Sequence, residues 1–202
     1  MPQAEMQWWH CIISTHNSWL PGDRRGFRTR RHKIHSSGDY KSPPPEAEHA
    51  GLRHYHEQHS GDAVVVPADC KATVGWAIIG KLRKKSLRVL AIAVAGTHSH
   101  MLAELPIDAK AARFIVGECK TVSSHAVRNE IPGQVWARGG KFIRIDNVEH
   151  QRNTYHYILN QADAWIWKFR SDCDDVTAET PEDAEEEEPR SSQSLTLGLD
   201  PH

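Results

Sequence analysis

The stretch AVAGTHSHMLAELP, residues 93–106, decides how the chain is read. It begins inside the apolar run LRVLAIAVAG (87–96), whose lack of alternation suits a strand in the middle of a sheet. Gly96 and Thr97 supply a tight turn. HSHMLAELP (98–106) then predicts the partner strand of a hairpin, closed by Pro106. Residues i and i+2 of a strand share a face, so His98 and His100 project together and Ser99 projects to the other side. Two imidazoles held side by side can chelate one divalent ion, but they can equally be ordinary polar residues on a strand edge. The chain has 14 histidines and a second HxH at His54/His56, so the pair decides nothing by itself.

Working outward, QWWHCIIST (7–15) is aromatic and β-branched and predicts a first strand. PADCKATVGWAIIGKLRKKS (67–86) has Val74, Ile78 and Leu82 at helical spacing, with Pro67 and a capping Asp69 marking its entry. DAKAARFIVGECKTVSSHAVRNE (108–130) predicts a second amphipathic helix, with Ala112, Ile115, Val116, Cys119, Val122 and Val127 near one side. QVWARGGKFIRID (134–146) predicts two short strands around Gly139-Gly140. NVEHQRNTYHYILNQADAW (147–165) predicts a third helix capped by Asp146 or Asn147, with Trp165 and Trp167 as packing residues after it. Strand, helix, hairpin, helix, hairpin, helix is the order of an α+β domain, a ferredoxin-like antiparallel sheet with helices packed on it. Residues 17–62, with LPGD, SSGDY and SPPPE, read as a long loop insertion after the first strand.

The 202 residues suffice for one well-cored domain, expected over residues 1–170. Net charge is only −1, yet residues 1–170 carry 24 Lys+Arg against 15 Asp+Glu, a net +9. Residues 171–202 carry one Arg and 11 acids, a net −10, and read as an acidic disordered tail. Cys11, Cys70, Cys119 and Cys173 form no CxxC pair, which argues against a zinc ribbon or a redox motif. The N-terminus lacks the pattern of a secretory signal, and the longest apolar run is too short to span a bilayer. A cytoplasmic protein with no membrane partner is expected.

A basic body with an acidic tail is common among nucleic-acid binders. GDRRGFRTRRHK (22–33) gathers Arg24, Arg25, Arg28, Arg30, Arg31 and Lys33, a density that suits phosphate binding, with Trp19 or Phe27 available for base stacking. Lys141 and Arg144, after the glycine turn, are further DNA-binding candidates. KLRKK (81–85) ends a helix, where cations also suit the helix dipole.

The last predicted helix contains YHYILNQ (155–161), in which Tyr157 and Gln161 are four apart and so share a face. A glutamine carbonyl can ligate a hard cation, and a phenol beside a metal-bound phosphate is set up for nucleophilic attack. Both residues could also be plain packing residues. THSHMLAEL (97–105) followed by YILNQ (157–161) resembles the single-tyrosine HUH transposases, the group that includes the REP-associated tyrosine transposases. WLPGDRRGFRTR (19–30) and GDYKSPPP (38–45) are similar to stretches of a bacterial subgroup of that family. The resemblance covers most of residues 8–170. It implies that His98, His100 and Gln161 bind Mg²⁺ or Mn²⁺ and that Tyr157 is the nucleophile. It also implies single-stranded DNA, with a hairpin, as substrate and a homodimer as the working form. The hydrophobic position of the HUH motif is Ser99 here, a departure that leaves open a domesticated copy that binds nucleic acid without cutting it.

Overall fold

The computed structural model describes residues 5–27, 36–37 and 44–170. In chain order the elements are β1 (Met6–Ser14), α1 (Ala50–His59), α2 (Ala68–Lys84), β2 (Val89–Val94), β3 (His98–Pro106), α3 (Ala109–Ala126), β4 (Lys141–Arg144), α4 (Val148–Leu159) and β5 (Trp165–Lys168). The sheet order is β4-β1-β3-β2-β5, with every neighbouring pair antiparallel. Strands β1 to β4, with α2 and α3 as crossovers, follow the split βαβ arrangement that the element order predicts. The acidic segment 171–202, like Arg28, Arg30, Arg31 and Lys33, lies outside the described residues. No helix among the described residues is long and apolar enough to cross a membrane.

Strand alternation sorts the side chains into two layers. Trp9, Cys11 and Ile13 of β1, Ile92 and Val94 of β2, and Met101, Ala103 and Leu105 of β3 pack on one face. Against them lie Val74, Ile78 and Leu82 of α2 and Ala112, Val116 and Cys119 of α3. On the other face Ala91, Ala93 and Leu102 meet Ile158 of α4, with Ile145 and Trp8 beside them. Cys11, Cys70 and Cys119 are buried free thiols.

The 98–106 strand and its two-residue turn match expectation, with the Ala95 amide donating to the His98 carbonyl at 2.9 Å. Ser99 is fully buried on the α2/α3 face, opposite Ile13 and Val94. Its hydroxyl has no hydrogen-bond partner. Such a group costs about 1–3 kcal/mol in desolvation, so Ser99 weakens the core without touching the histidine face. Asp108 caps α3 by accepting from the Ala111 amide at 2.7 Å, and Asn147 caps α4 by accepting from the His150 amide at 2.8 Å. Asp69 lies in the first turn of α2, whose N-cap is Pro67 with no side-chain cap bond.

Three expectations are corrected. Residues 134–146 are not a hairpin. Trp136 bridges to Thr15, while Lys141–Arg144 pairs with Ile12 through Trp9, so both pieces run along the same edge of β1. Gly139, at φ +77°, and Gly140, whose added Cβ would sit 2.9 Å from the Ile12 carbonyl, form an interruption in that edge. Lys120 of α3 pins it by donating to the carbonyls of Ala137 and Gly139. The last helix stops at Leu159, and Trp165 and Trp167 belong to a fifth strand paired with β2. The long loop contains α1, a helix with no buried residue.

Strand β5 reaches α2 through a glycine. A Cβ on Gly75 would sit 1.9 Å from a ring carbon of Trp165, which itself meets Trp76 edge-on at 5.5 Å. Gly75→Ala forces the indole away and is expected to destabilise the fold by about 1–3 kcal/mol, despite alanine's better helix propensity. Urea unfolding of the variant beside the parent chain measures this; unchanged or raised stability contradicts the packing.

Candidate active site

The histidine face of β3 is the α4 face. His98 and His100 project together, with ring centroids 4.9 Å apart. The adjacent strand β1 adds a third imidazole that the sequence reading did not single out. His10 lies opposite Leu102 and His100 opposite Ile12, so the two histidines are diagonal neighbours on one face. Nε2 of His10 is 3.0 Å from Nδ1 of His100 and the rings stack at 5.2 Å. Both residues are almost fully buried.

Helix α4 brings Tyr157 to this group. Its ring meets His100 edge-on at 5.3 Å and His10 at 5.9 Å, yet the residue is 53% exposed. The phenol therefore borders solvent while its ring leans on the imidazoles. Tyr155, two residues earlier, turns into the packing around Ile158 instead. These are contacts within one chain.

Gln161 arrives by a route different from the one expected. It lies beyond the helix, after the C-cap Asn160, yet its Oε1 is 3.3 Å from Nε2 of His98. Its Nε2 donates to the Tyr157 carbonyl at 3.2 Å, which ties the loop back to the helix. The same loop is held from α2: buried Lys71 donates to the Asp163 carbonyl at 2.6 Å and pairs with its carboxylate at 3.2 Å. Asp163, at φ +50°, makes the reversal that leads into β5.

The nitrogen atoms are sorted in a way that fits a cation. Nδ1 of His100 faces His10 and Nδ1 of His98 faces the Thr97 hydroxyl at 3.3 Å. That leaves Nε2 of His100 turned away from its ring partner, while Nε2 of His98 donates to Oε1 of Gln161 at 3.3 Å, so an ion held by both of those atoms would take the place of the proton between them. Burial, followed by the charges of Lys141 and His150, lowers the pKa of His10 to about 4. Burial, followed by His10 and His98, lowers that of His100 to about 3. Both rings are neutral at pH 7, the form a metal ligand requires. Two imidazoles and one carboxamide oxygen make a mixed nitrogen–oxygen donor set that could hold a divalent ion and leave places for water and phosphate oxygens. Among the described residues, no group of three or more His, Cys, Asp or Glu side chains forms a metal cage; the third donor here is an amide.

These shifts carry a pH signature. Below the ordinary histidine value of 6.5 the unfolded chain binds protons that the folded site refuses. Stability is therefore full above that value and falls as pH drops toward 4 and 3. The double variant His10→Gln, His100→Gln is expected to lose stability less steeply between pH 6.5 and 4, read from urea midpoints. An equal slope contradicts the assignment.

The basic candidates divide. Arg25 is bound on both carboxylate oxygens of Asp23, at 2.6–2.8 Å, donates to the Ser18 carbonyl and stacks on Trp19 at 4.4 Å. Trp19 in turn donates to the Gly26 carbonyl, so this pair braces the loop. Arg24 pairs with Glu46, both well exposed. Phe27 rests edge-on against His49. Lys141 shares the site face and bears on His10, whereas Arg144 lies over Trp9 on the opposite face. Lys81 and Lys85 both pair with Glu118 of α3, and Glu104 is held by Arg88.

No protein-family model matches the sequence, and no curated protein is significantly similar to it. Among solved structures, the chain is similar to a REP-associated tyrosine transposase bound to a REP hairpin. The identity is 16% over 78% of this chain and 68% of that one, with a TM-score of 0.41.

Proposed function

We propose that the chain is a metal-dependent single-stranded DNA endonuclease and strand transferase that works through a 5′-phosphotyrosine. The observation that carries this is the meeting of His98, His100 and Gln161 with Tyr157 on one face of the sheet. The resemblance of THSHMLAEL and YILNQ to the HUH motif and tyrosine helix agrees with it. The residues that would hold Mg²⁺ or Mn²⁺ are His98 and His100 through Nε2 and Gln161 through Oε1. When bound, the ion supplies charge that polarises the scissile phosphate and steadies its transition state.

The chain's own residues do the rest. Packing of its ring on His100 and His10 orients Tyr157, which stays about half exposed to solvent. Its oxygen gives up its proton to solvent and attacks phosphorus; the new O–P bond replaces the bond to the 3′ oxygen, which leaves as an alkoxide and takes up a proton to become a 3′-hydroxyl. A 3′-hydroxyl later reverses the step and rejoins DNA, with the bond energy kept in the phosphotyrosine. Lys141, exposed on the same face, is placed to meet the phosphate backbone. Tyr157 stands beside histidines of its own chain, and the working form in this reading is a homodimer.

The test mixes the protein with 5′- and 3′-labelled DNA hairpins bearing single-stranded flanks, in Mn²⁺, and resolves the products on a denaturing gel. A covalent adduct on the strand 3′ of the cut, with a free 3′-hydroxyl on the other product, is expected. Tight binding with no adduct would instead mean a nucleic-acid-binding protein without the chemistry.

A further inference from the structure

We propose that His10 is a positioning residue that fixes the tautomer and orientation of His100, so that Nε2 of His100 is presented as a ligand. The inference rests on the cation-site reading above. It begins from one hydrogen bond, 3.0 Å between Nε2 of His10 and Nδ1 of His100, with both rings buried. Two neutral imidazoles can make that bond in two ways. If His10 donates, the proton of His100 sits on Nε2 and that nitrogen cannot ligate. If His100 donates from Nδ1, its Nε2 lone pair is free.

The site requires the second arrangement, and then His10 acts as the acceptor that holds it. Such an outer hydrogen-bond partner commonly sets the tautomer and ring plane of a ligating histidine. His10 suits the task because it comes from a different strand. β1 is paired with β3 along the whole of β3, so the acceptor is fixed by the sheet rather than by a loop. His98 has only the Thr97 hydroxyl, at 3.3 Å, in the corresponding place. The two ligands are therefore held unequally, with His100 the anchored one. Burial of an imidazole is costly without a bond, and at position 10 that bond is the one to His100.

The test uses the full chain and His10→Phe, which keeps a ring and removes the acceptor, and His10→Gln, whose amide oxygen can accept from Nδ1. Long-range ¹⁵N–¹H NMR without metal reads the His100 tautomer, and Mn²⁺ titration followed by EPR reads affinity. The wild type is expected to show His100 protonated on Nδ1. H10F is expected to give a tautomer mixture and a Kd for Mn²⁺ raised about 10- to 100-fold, and H10Q to recover most of that loss. His100 protonated on Nε2 in the wild type, or H10F binding Mn²⁺ as the wild type does, overturns the role of His10. A wild type that binds no Mn²⁺ overturns the cation site itself, and this role with it.

Discussion

Tyr157→Phe is expected to abolish the covalent protein–DNA adduct while leaving hairpin binding within about twofold. The substitution removes one oxygen atom and keeps the ring that packs on His100 and His10. Because the residue is 53% exposed and lies outside both core clusters, loss of one oxygen is expected to leave the fold intact. Loss of a nucleophile can cost as much as about 10⁶-fold in rate, since nothing nearby replaces it. Tyr155 is the nearest alternative in sequence, but it turns into the packing around Ile158. A drop of at least about 10⁴-fold in adduct formation is therefore expected, read by the same denaturing gel with a Tyr155→Phe control that stays active. An adduct that survives in Y157F and disappears in Y155F would reverse the assignment.

Removing the ligands is expected to have the next largest effect. His98→Ala with His100→Ala, or chelation of the wild type by EDTA, should lower cleavage on the order of 10³-fold. Single-stranded DNA binding should change little, because its cations lie elsewhere. Mn²⁺ should restore the chelated wild type and leave the double variant inactive. Gln161→Ala should fall between, since one neutral oxygen contributes less than two imidazoles. Cleavage that proceeds unchanged in EDTA would mean that the histidines serve packing and not chemistry.

The parts of the fold legible in the sequence are those with a clean hydrophobic period. β3 and its turn, α2 and α3 announce themselves through alternation or helical spacing, and α4 also through Asn147 at its cap. α1 was hidden because it buries nothing; AGLRHYHEQH has no apolar face to betray it. β5 escapes the sequence reading, which takes Trp165 and Trp167 only as packing residues at the helix end, because WIWK is only four residues long. The turn residues Asn160, Gln161 and Asp163, followed by alternating tryptophans, are the signal that separates the two. The glycine pair at 139–140 fits a hairpin turn as well as an edge interruption, and only the pairing of both flanks with β1 decides between them.

The candidate site was legible in part. The i, i+2 rule places His98 and His100 on one face, and the structure keeps them there. Tyr157 and Gln161 were paired for the wrong reason, since Gln161 leaves the helix and returns to His98 through a loop held by Lys71. His10 gave no local signal. It is one histidine in an apolar strand, and its role depends on a β1–β3 register that links residues 90 positions apart. Arg25, read from the sequence as a phosphate contact, also pairs with Asp23 two residues away, a brace that the count of basic residues does not announce.

The central claim is that one cation joins β3 to the loop after α4 within reach of Tyr157. A crystal of the full chain soaked in Mn²⁺, with anomalous data collected at the manganese edge, tests it most directly. One peak contacted by Nε2 of His98, Nε2 of His100 and Oε1 of Gln161, with the Tyr157 hydroxyl facing it, is the predicted result. A peak on other residues, or no peak there at saturating Mn²⁺, would contradict the account.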